Sequence, residues 1–345
     1  MTAAIRDQPD DWTEPGSFRV APGVYRVPLP LPFDALRAVN VYAVDDPDGL
    51  VLVDSGWALE QSEKALAAAL RNLGYDLSDI ARIAVTHAHG DHYTQAIALR
   101  EAYGTRVSLG RGERASVERL LLGDRAGYED QHRQLRRYGA TALSETIAKL
   151  GARRQGEDRT PWGRPDGWLD DGERIQLADR ELEVIATPGH TQGHVVLRDE
   201  PAGLLFAGDH ILPHITPSIG FEAVVPATPL RDYLDSLRLV KDMPDMLLLP
   251  AHGPVTASVH RRVDELLDHH EVRLATVLRE VQRGVPTAFE VANRLRWTRR
   301  ERELSELDPF NQMLAVTETG AHLDVLVLQR ELTRTESDGV WLYST

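Results

Sequence analysis

Thr86-His87-Ala88-His89-Gly90-Asp91-His92 packs four side chains able to bind a metal into a very short span, directly after the apolar run Ile83-Ala84-Val85. Neutral imidazole and carboxylate are natural ligands of zinc and similar divalent ions, and a cluster of them at the mouth of a strand can serve two adjacent ions. Two ions need further ligands. Candidates recur downstream at similar strand ends: His190 in Thr187-Pro188-Gly189-His190, Asp209 in Gly208-Asp209-His210, and His252 in Pro250-Ala251-His252-Gly253. His87 and His89 lie two apart, so extended backbone points both to one side. Asp91 and His92 follow where a helix begins, and the change of backbone direction turns them toward a second ion.

This order of motifs resembles the metallo-β-lactamase fold superfamily, whose HxHxDH pattern is matched by His87, His89, Asp91 and His92, with an earlier Asp54-Ser55-Gly56 and the later His190, Asp209 and His252. The resemblance covers about residues 20–255. It implies an α/β fold, an αββα sandwich, and a ligand set of His87, His89 and His190 on one ion and Asp91, His92 and His252 on the other. Asp209 and a water are then shared between the ions. Asp209 stands where the β-lactamases of the superfamily place a Cys, and the set is similar to that of hydroxyacylglutathione hydrolases, lactonases and tRNA-processing nucleases. A water bridging two cations loses a proton near neutrality, so the implied chemistry is hydrolysis by hydroxide. Asp91 is expected to orient that nucleophile or relay a proton, and His210 to act beside it as a second catalytic residue or a substrate contact. Asp54 is expected to steady the ligands from behind. The cofactors implied are two divalent metal ions, zinc first, with manganese or iron as alternatives.

The chain has 345 residues, enough for one large domain and a smaller one. Its hydrophobic content of 42% is that of a soluble globular protein, and no apolar run approaches the roughly 18 residues of a membrane span. Residues 1–16 do not read as a secretory signal, so a cytoplasmic location is expected. The absence of cysteine removes disulfides, thiolate ligands and a cysteine nucleophile. A formal charge of -14 argues against broad binding to nucleic acid, which a local basic patch leaves open, and favours a small-molecule substrate.

In chain order, 18–28, 40–45 and 50–54 read as strands of the first sheet, and 58–72 as a helix stopped by Gly74. A helix runs from Asp91 to about residue 100, where Tyr93 is expected to pack structurally. Between 111 and 160 the chain becomes helical and charged, with helices over 113–122 and 128–150; the resemblance makes this insertion a cap over the site. Tyr128, His132, Arg133, Arg136, Arg137 and Tyr138 have spacings that would aim some of them at the metals, although a solvated helix face is the plainer expectation for each. Residues 156–167 read as a loop, a candidate lid. Strands follow at 182–186, 194–198, 204–207 and 246–249, and His194 is expected as a hydrogen-bonding partner.

The catalytic domain is therefore placed at 17–257 and a C-terminal domain at 258–345. Helical periodicity over 263–281, 287–295 and 310–332, then a hairpin around Ser337-Asp338-Gly339, resembles the small winged-helix-like domain of the lactamase-like endoribonucleases. Arg294, Arg296, Arg299, Arg300 and Arg302 form a basic cluster there, diluted by acids. The favoured substrate is a small ester, thioester or lactone, because 211–225 is mainly apolar and suits an acyl group. An endoribonuclease of the same fold is the second reading. The third is a mononuclear iron sulfur dioxygenase using only His87, His190 and Asp209. A homodimer is the expected assembly.

Overall fold

The computed structural model of the chain describes residues 9–32, 36–122, 129–154 and 161–345, and the side chains of all of these but 151–154. In order, the elements are β1 (Phe18–Ala21), β2 (Val24–Pro30), β3 (Ala38–Val44), β4 (Leu50–Val53), α1 (Glu60–Leu73), β5 (Ile80–Val85), α2 (Gly90–Tyr103), β6 (Arg106–Gly110) and α3 (Arg114–Leu120). Then come α4 (Glu129–Arg137), α5 (Thr141–Arg154), β7 (Gly167–Leu169), β8 (Arg174–Gln176), β9 (Glu181–Ala186), β10 (Val195–Asp199), β11 (Leu204–Gly208) and α6 (Pro229–Lys241). The chain closes with β12 (Leu247–Pro250), α7 (Val259–Gln282), α8 (Ala288–Arg294), α9 (Pro309–Leu328), β13 (Thr333–Ser337) and β14 (Val340–Ser344).

Strands β1 to β7 form one sheet in sequential order, antiparallel through β4 and parallel from β4 to β7. The other sheet runs β12-β11-β10-β9-β8. Successive strand residues face opposite ways, and here both faces are covered. In β4, Leu50 and Leu52 join Leu66, Leu70 and Ile97 of α1 and α2, whereas Val51 and Val53 meet Leu197 and Phe206 of the second sheet. In β11, Leu205 and Ala207 pack on Leu230, Leu237 and Val263 of α6 and α7. Helix, sheet, sheet and helix therefore stack as the expected αββα sandwich. Each fully buried Leu or Phe contributes about 1.5–3 kcal/mol.

The elements differ from expectation where small residues break a pattern. The run 18–28 is two strands, turned at Pro22-Gly23, where Gly23 has φ of 65°. The expected single helix over 128–150 is α4 and α5, parted at Gly139 with φ of 83°. Tyr128 and residues 156–160 of the candidate lid lie outside the described residues.

The face of α4 also turns elsewhere than to the metals. Tyr138 and Leu135 are buried with Val316 and Leu323 of α9, Arg137 covers the Trp341 ring at 5.1 Å, and His132 bonds Ser144. The apolar stripe of α4 thus decides its orientation, and the helix shares one core with the C-terminal helices. Those helices, followed by the hairpin β13-β14 with Asp338 and Gly339 both at positive φ, match the expected three helices and turn. The basic cluster is largely engaged: Arg294 pairs with Glu280, Arg296 with Glu303, and Arg299 donates to the His214 carbonyl. Among the described residues no helix is long and apolar enough to cross a membrane.

Candidate metal centre

Seven side chains converge at the carboxyl ends of β5, β9, β11 and β12, the edge where the two sheets meet. They form two adjoining groups: His87, His89, His190 and Asp209 in one, Asp91, His92 and His252 in the other. All seven residues expected as ligands are brought together. Within the first group His190 Nε2 lies 3.2 Å from His87 Nε2 and 3.0 Å from His89 Nδ1. In the second, His252 Nε2 is 3.4 Å from Asp91 Oδ2 and His92 Nε2 is 3.7 Å from the same oxygen. Asp209 faces both groups. Its Oδ2 is 3.5 Å from His190 Nε2, and its Oδ1 is 3.6 Å from His92 Nε2 and 3.4 Å from His252 Nε2.

Each histidine is held by the ring nitrogen that faces away from the centre. His87 Nδ1 meets Thr86 Oγ1 at 3.1 Å, His89 Nε2 the Phe221 carbonyl at 2.6 Å, and His190 Nδ1 the Ser218 carbonyl at 2.6 Å. His92 Nδ1 meets Asp54 Oδ2 at 3.0 Å and His252 Nδ1 the Ala38 carbonyl at 2.8 Å. Carbonyl and carboxylate partners accept from four of these nitrogens, which fixes those tautomers and leaves a lone pair on the inward nitrogen of each neutral ring. Inward lone pairs crowded this closely repel one another unless a cation lies among them. His92 Nε2, His252 Nε2 and Asp209 Oδ1 are moreover buried without a hydrogen-bond partner among the described residues. The donor set therefore fits a metal.

Electrostatics divide the centre. Burial, reinforced by the neighbouring histidines, holds His87 far below the ordinary histidine value and brings His190 down to about 3. Burial also opposes charge on His92, but Asp91, Asp54 and Asp209 outweigh it and raise His92 to about 10. His252 is raised as well, against its burial, by Asp209 and Asp91. Burial would raise Asp91 and Asp209; the facing histidines hold both below the usual carboxylate range.

The support around the ligands is built into the backbone. Asp54 sits at φ 62°, a conformation a non-glycine residue adopts only when its surroundings impose it. Its carboxylate accepts from the Thr86 amide at 2.8 Å and from Thr86 Oγ1 at 3.0 Å besides holding His92. Gly208, at φ 50°, leaves no room for a side chain, since a Cβ would lie 2.7 Å from both Thr86 Oγ1 and His194 Nε2. His194 accepts from the Asp209 amide at 3.1 Å and bonds Thr187 Oγ1 at 2.9 Å, so it positions Asp209 as expected. Tyr93 is fully buried and donates to the Gly163 carbonyl, again the structural role. His210, expected as a catalytic residue, lies outside both groups; it is fully buried, its ring 5.2 Å from Tyr233 and 6.0 Å from His194.

Sequence reasoning missed two sets of supports. Asn40 donates to the carbonyls of Pro250 and Gly253, with Tyr42 also on Pro250 and the buried Arg26 on Asn40 Oδ1, which together fix the turn carrying His252. Glu113 and Glu222 are buried carboxyls against the two residues that follow His190. Thr191 Oγ1 donates to Glu113, the Gln192 amide to Glu222 at 2.7 Å, and Ser116 Oγ to Glu222 at 2.8 Å. Burial pushes both above the ordinary glutamate value, and Glu113 pushes Glu222 further. Neither set has a signal in the sequence, because Asn40 and Arg26 lie in an ordinary strand pattern and the glutamates read as solvated charges.

The metallo-beta-lactamase superfamily model matches residues 34–252. The chain belongs to that superfamily. It is 27% identical to the probable metallo-hydrolase YqjP of Bacillus subtilis over 328 residues, which covers 90% of this chain and 94% of the relative. Among solved structures it resembles a metallo-beta-lactamase family protein of Thermus thermophilus, with a TM-score of 0.78 and 30% identity over 94% of this chain and 99% of that one. A beta-lactamase domain protein of Burkholderia ambifaria is similar over 98% of this chain and 96% of its own, with a TM-score of 0.76 and 28% identity. These likenesses run through the C-terminal helices, so sandwich and helices recur together. Membership agrees with the metal-dependent hydrolase expected from the motif.

Proposed function

We propose that the chain is a binuclear metal hydrolase of a small ester, thioester or lactone, with zinc as the first candidate metal. The observation that carries this reading is the placement of Asp209, one oxygen toward each ligand group. Charge supports two ions: Asp54, Asp91 and Asp209 bring three carboxylates into a nearly closed site, and buried negative charge of that density needs compensation. His87, His89 and His190 would hold one ion and Asp91, His92 and His252 the other. Ions bound there supply an acidified water as nucleophile and polarise the substrate carbonyl.

The chain's own residues do the rest. Asp91 is the one ligand with a partly exposed carboxylate, at 16%, which suits it to take a proton from the nucleophile. Thr86 and Asp54 keep His87 and His92 in register, and His194 keeps Asp209 between the groups. His210 is a positioning residue behind His194 in this reading. The loop 211–225, whose Ser218 and Phe221 carbonyls hold His190 and His89, would meet the acyl part of the substrate. We place the activity in the cytoplasm, in keeping with a cysteine-free chain, and a homodimer is the assembly to test.

The test is turnover of a panel containing p-nitrophenyl acetate, an acyl thioester, a lactone, a cephalosporin and a bis-phosphodiester, with wild type and Asp209→Ala. Hydrolysis of an ester, thioester or lactone that falls at least about a thousandfold in Asp209→Ala, the loss of several kcal/mol, is expected. Cleavage of the phosphodiester alone would favour the nuclease reading. Oxygen consumption by an iron-loaded chain without hydrolysis would favour the sulfur dioxygenase.

A further inference from the structure

Helix α9 brings an aromatic side chain, Phe310, to within two ring contacts of His89 from far along the sequence. The Phe221 carbonyl holds His89, and the Phe221 ring lies 5.9 Å from the His89 ring. The Phe310 ring meets that of Phe221 edge to face, 5.3 Å away at 90°. The three rings thus form a strip that begins at a metal ligand and ends in solvent, where Phe310 is 48% exposed.

Phe310 is fixed in place by its helix. Pro309 opens α9, and the Asp308 carboxylate accepts from the amides of Phe310 and Asn311 at 3.0 and 3.1 Å. The same loop is fastened by other C-terminal residues: Arg262 donates to the carbonyls of Leu212 at 2.6 Å and Ile215 at 2.9 Å, and Arg299 to that of His214. Those guanidinium groups point at backbone oxygens, so an anionic substrate group finds them engaged. The Trp57 ring packs over Gly90, 3.6 Å from where a Cβ would stand. A partly exposed aromatic edge two ring contacts from a candidate ligand is suited to an apolar chain or ring.

We propose that Phe310 forms the outer wall of the acyl pocket, so that the C-terminal helices select substrates by the length and apolarity of the acyl group. The inference rests on the ester-hydrolase reading above. Phe310 touches the acyl end and lies two rings from the metals, so it acts on selectivity and leaves the chemical step alone.

The experiment compares kcat/KM for p-nitrophenyl acetate and p-nitrophenyl hexanoate in zinc-loaded wild type, Phe310→Ala and Phe310→Leu, with metal content measured on each. Phe310→Ala is expected to lose about tenfold on the hexanoate through KM and less than about twofold on the acetate, because a short acyl group does not reach the wall. Phe310→Leu should recover most of the loss. Turnover of both esters with an unchanged ratio in Phe310→Ala would overturn the acyl wall and leave the hydrolase reading standing. No turnover of either ester by the wild type would overturn the ester-hydrolase reading and the pocket with it. Equal losses on both esters with retained metal would assign Phe310 to support of Phe221 and also overturn the proposal.

Discussion

Among the described residues histidines gather in two clusters, one at the end of the sandwich and one between α7 and α9. In the first, His87, His89, His92, His190 and His252 each turn one nitrogen outward to a fixed partner and the other inward toward Asp91 and Asp209. In the second, His270 donates to His322 Nε2 at 3.1 Å and His322 donates to the Glu318 carbonyl at 2.8 Å, while the His269 ring sits 5.2 Å from His270. There the bonds run in a line and nothing converges. The charge response differs as well. Carboxylates lift His92 and His252 in the first cluster, whereas burial is the main cause that lowers His269, His270 and His322 in the second. Histidine count does not make a metal centre; inward-facing lone pairs shared with carboxylates do.

The largest effect that would sharpen this contrast is expected at Asp54. Asp54→Asn weakens the acceptor for His92 and for Thr86 while leaving every ligand in place. Turnover and retained metal should both fall by about 10–100-fold, read by initial rates and by metal loss to a chelator. Unchanged values would mean that convergence does not depend on the outward partners.

A smaller effect is expected at the carboxyl pair against the two residues that follow His190. Glu113 and Glu222 have pKa values raised in the folded chain, so their contribution to stability is complete below the ordinary glutamate value of 4.5 and is lost as pH rises through neutrality. Glu222→Gln keeps a side-chain oxygen for the Gln192 amide and removes one ionisation. Its urea midpoint should fall less than that of the wild type between pH 6 and 9, with turnover at pH 7 changed only a few-fold. A parallel pH slope in the two proteins would contradict the assignment.

The smallest effect on activity is expected in the second cluster. His322→Leu leaves the His270 Nδ1–H without its acceptor, at about 1–3 kcal/mol in denaturant unfolding, and should leave metal content and rate as in the wild type. His322 is lowered to about 3 in the folded chain, so its stability is whole above the ordinary value of 6.5 and drains as pH falls toward 3. The variant should therefore lose less stability than the wild type between pH 7 and 4.5. Loss of metal on this substitution would break the distinction between the clusters.

How much of this was readable beforehand follows from the range of each interaction. The sandwich and the convergence of the seven candidate ligands were legible, because metal-binding residue types at strand ends stand out and the strands announce themselves by period and by Gly and Pro turns. Gly74 stops α1 where its left-handed conformation allows. The direction of α4 was not legible: Leu135 and Tyr138 form its apolar stripe, but the surface that buries them comes from α9, nearly 200 residues later. Sequence separation likewise hid the packing of Phe310 on Phe221 and the hold of Asn40 on the His252 turn, whose partners are 210 and 213 positions away. His210 follows Asp209 in sequence but lies outside both ligand groups, since a change of one position at a strand end turns a side chain to the other face.

The central claim is that two ions share Asp209, and metal content by elemental analysis tests it most directly. Purified wild type should carry about two divalent ions per chain, and His252→Ala, which strips one group and spares His87, His89 and His190, about one. A single ion in both proteins would contradict the binuclear account.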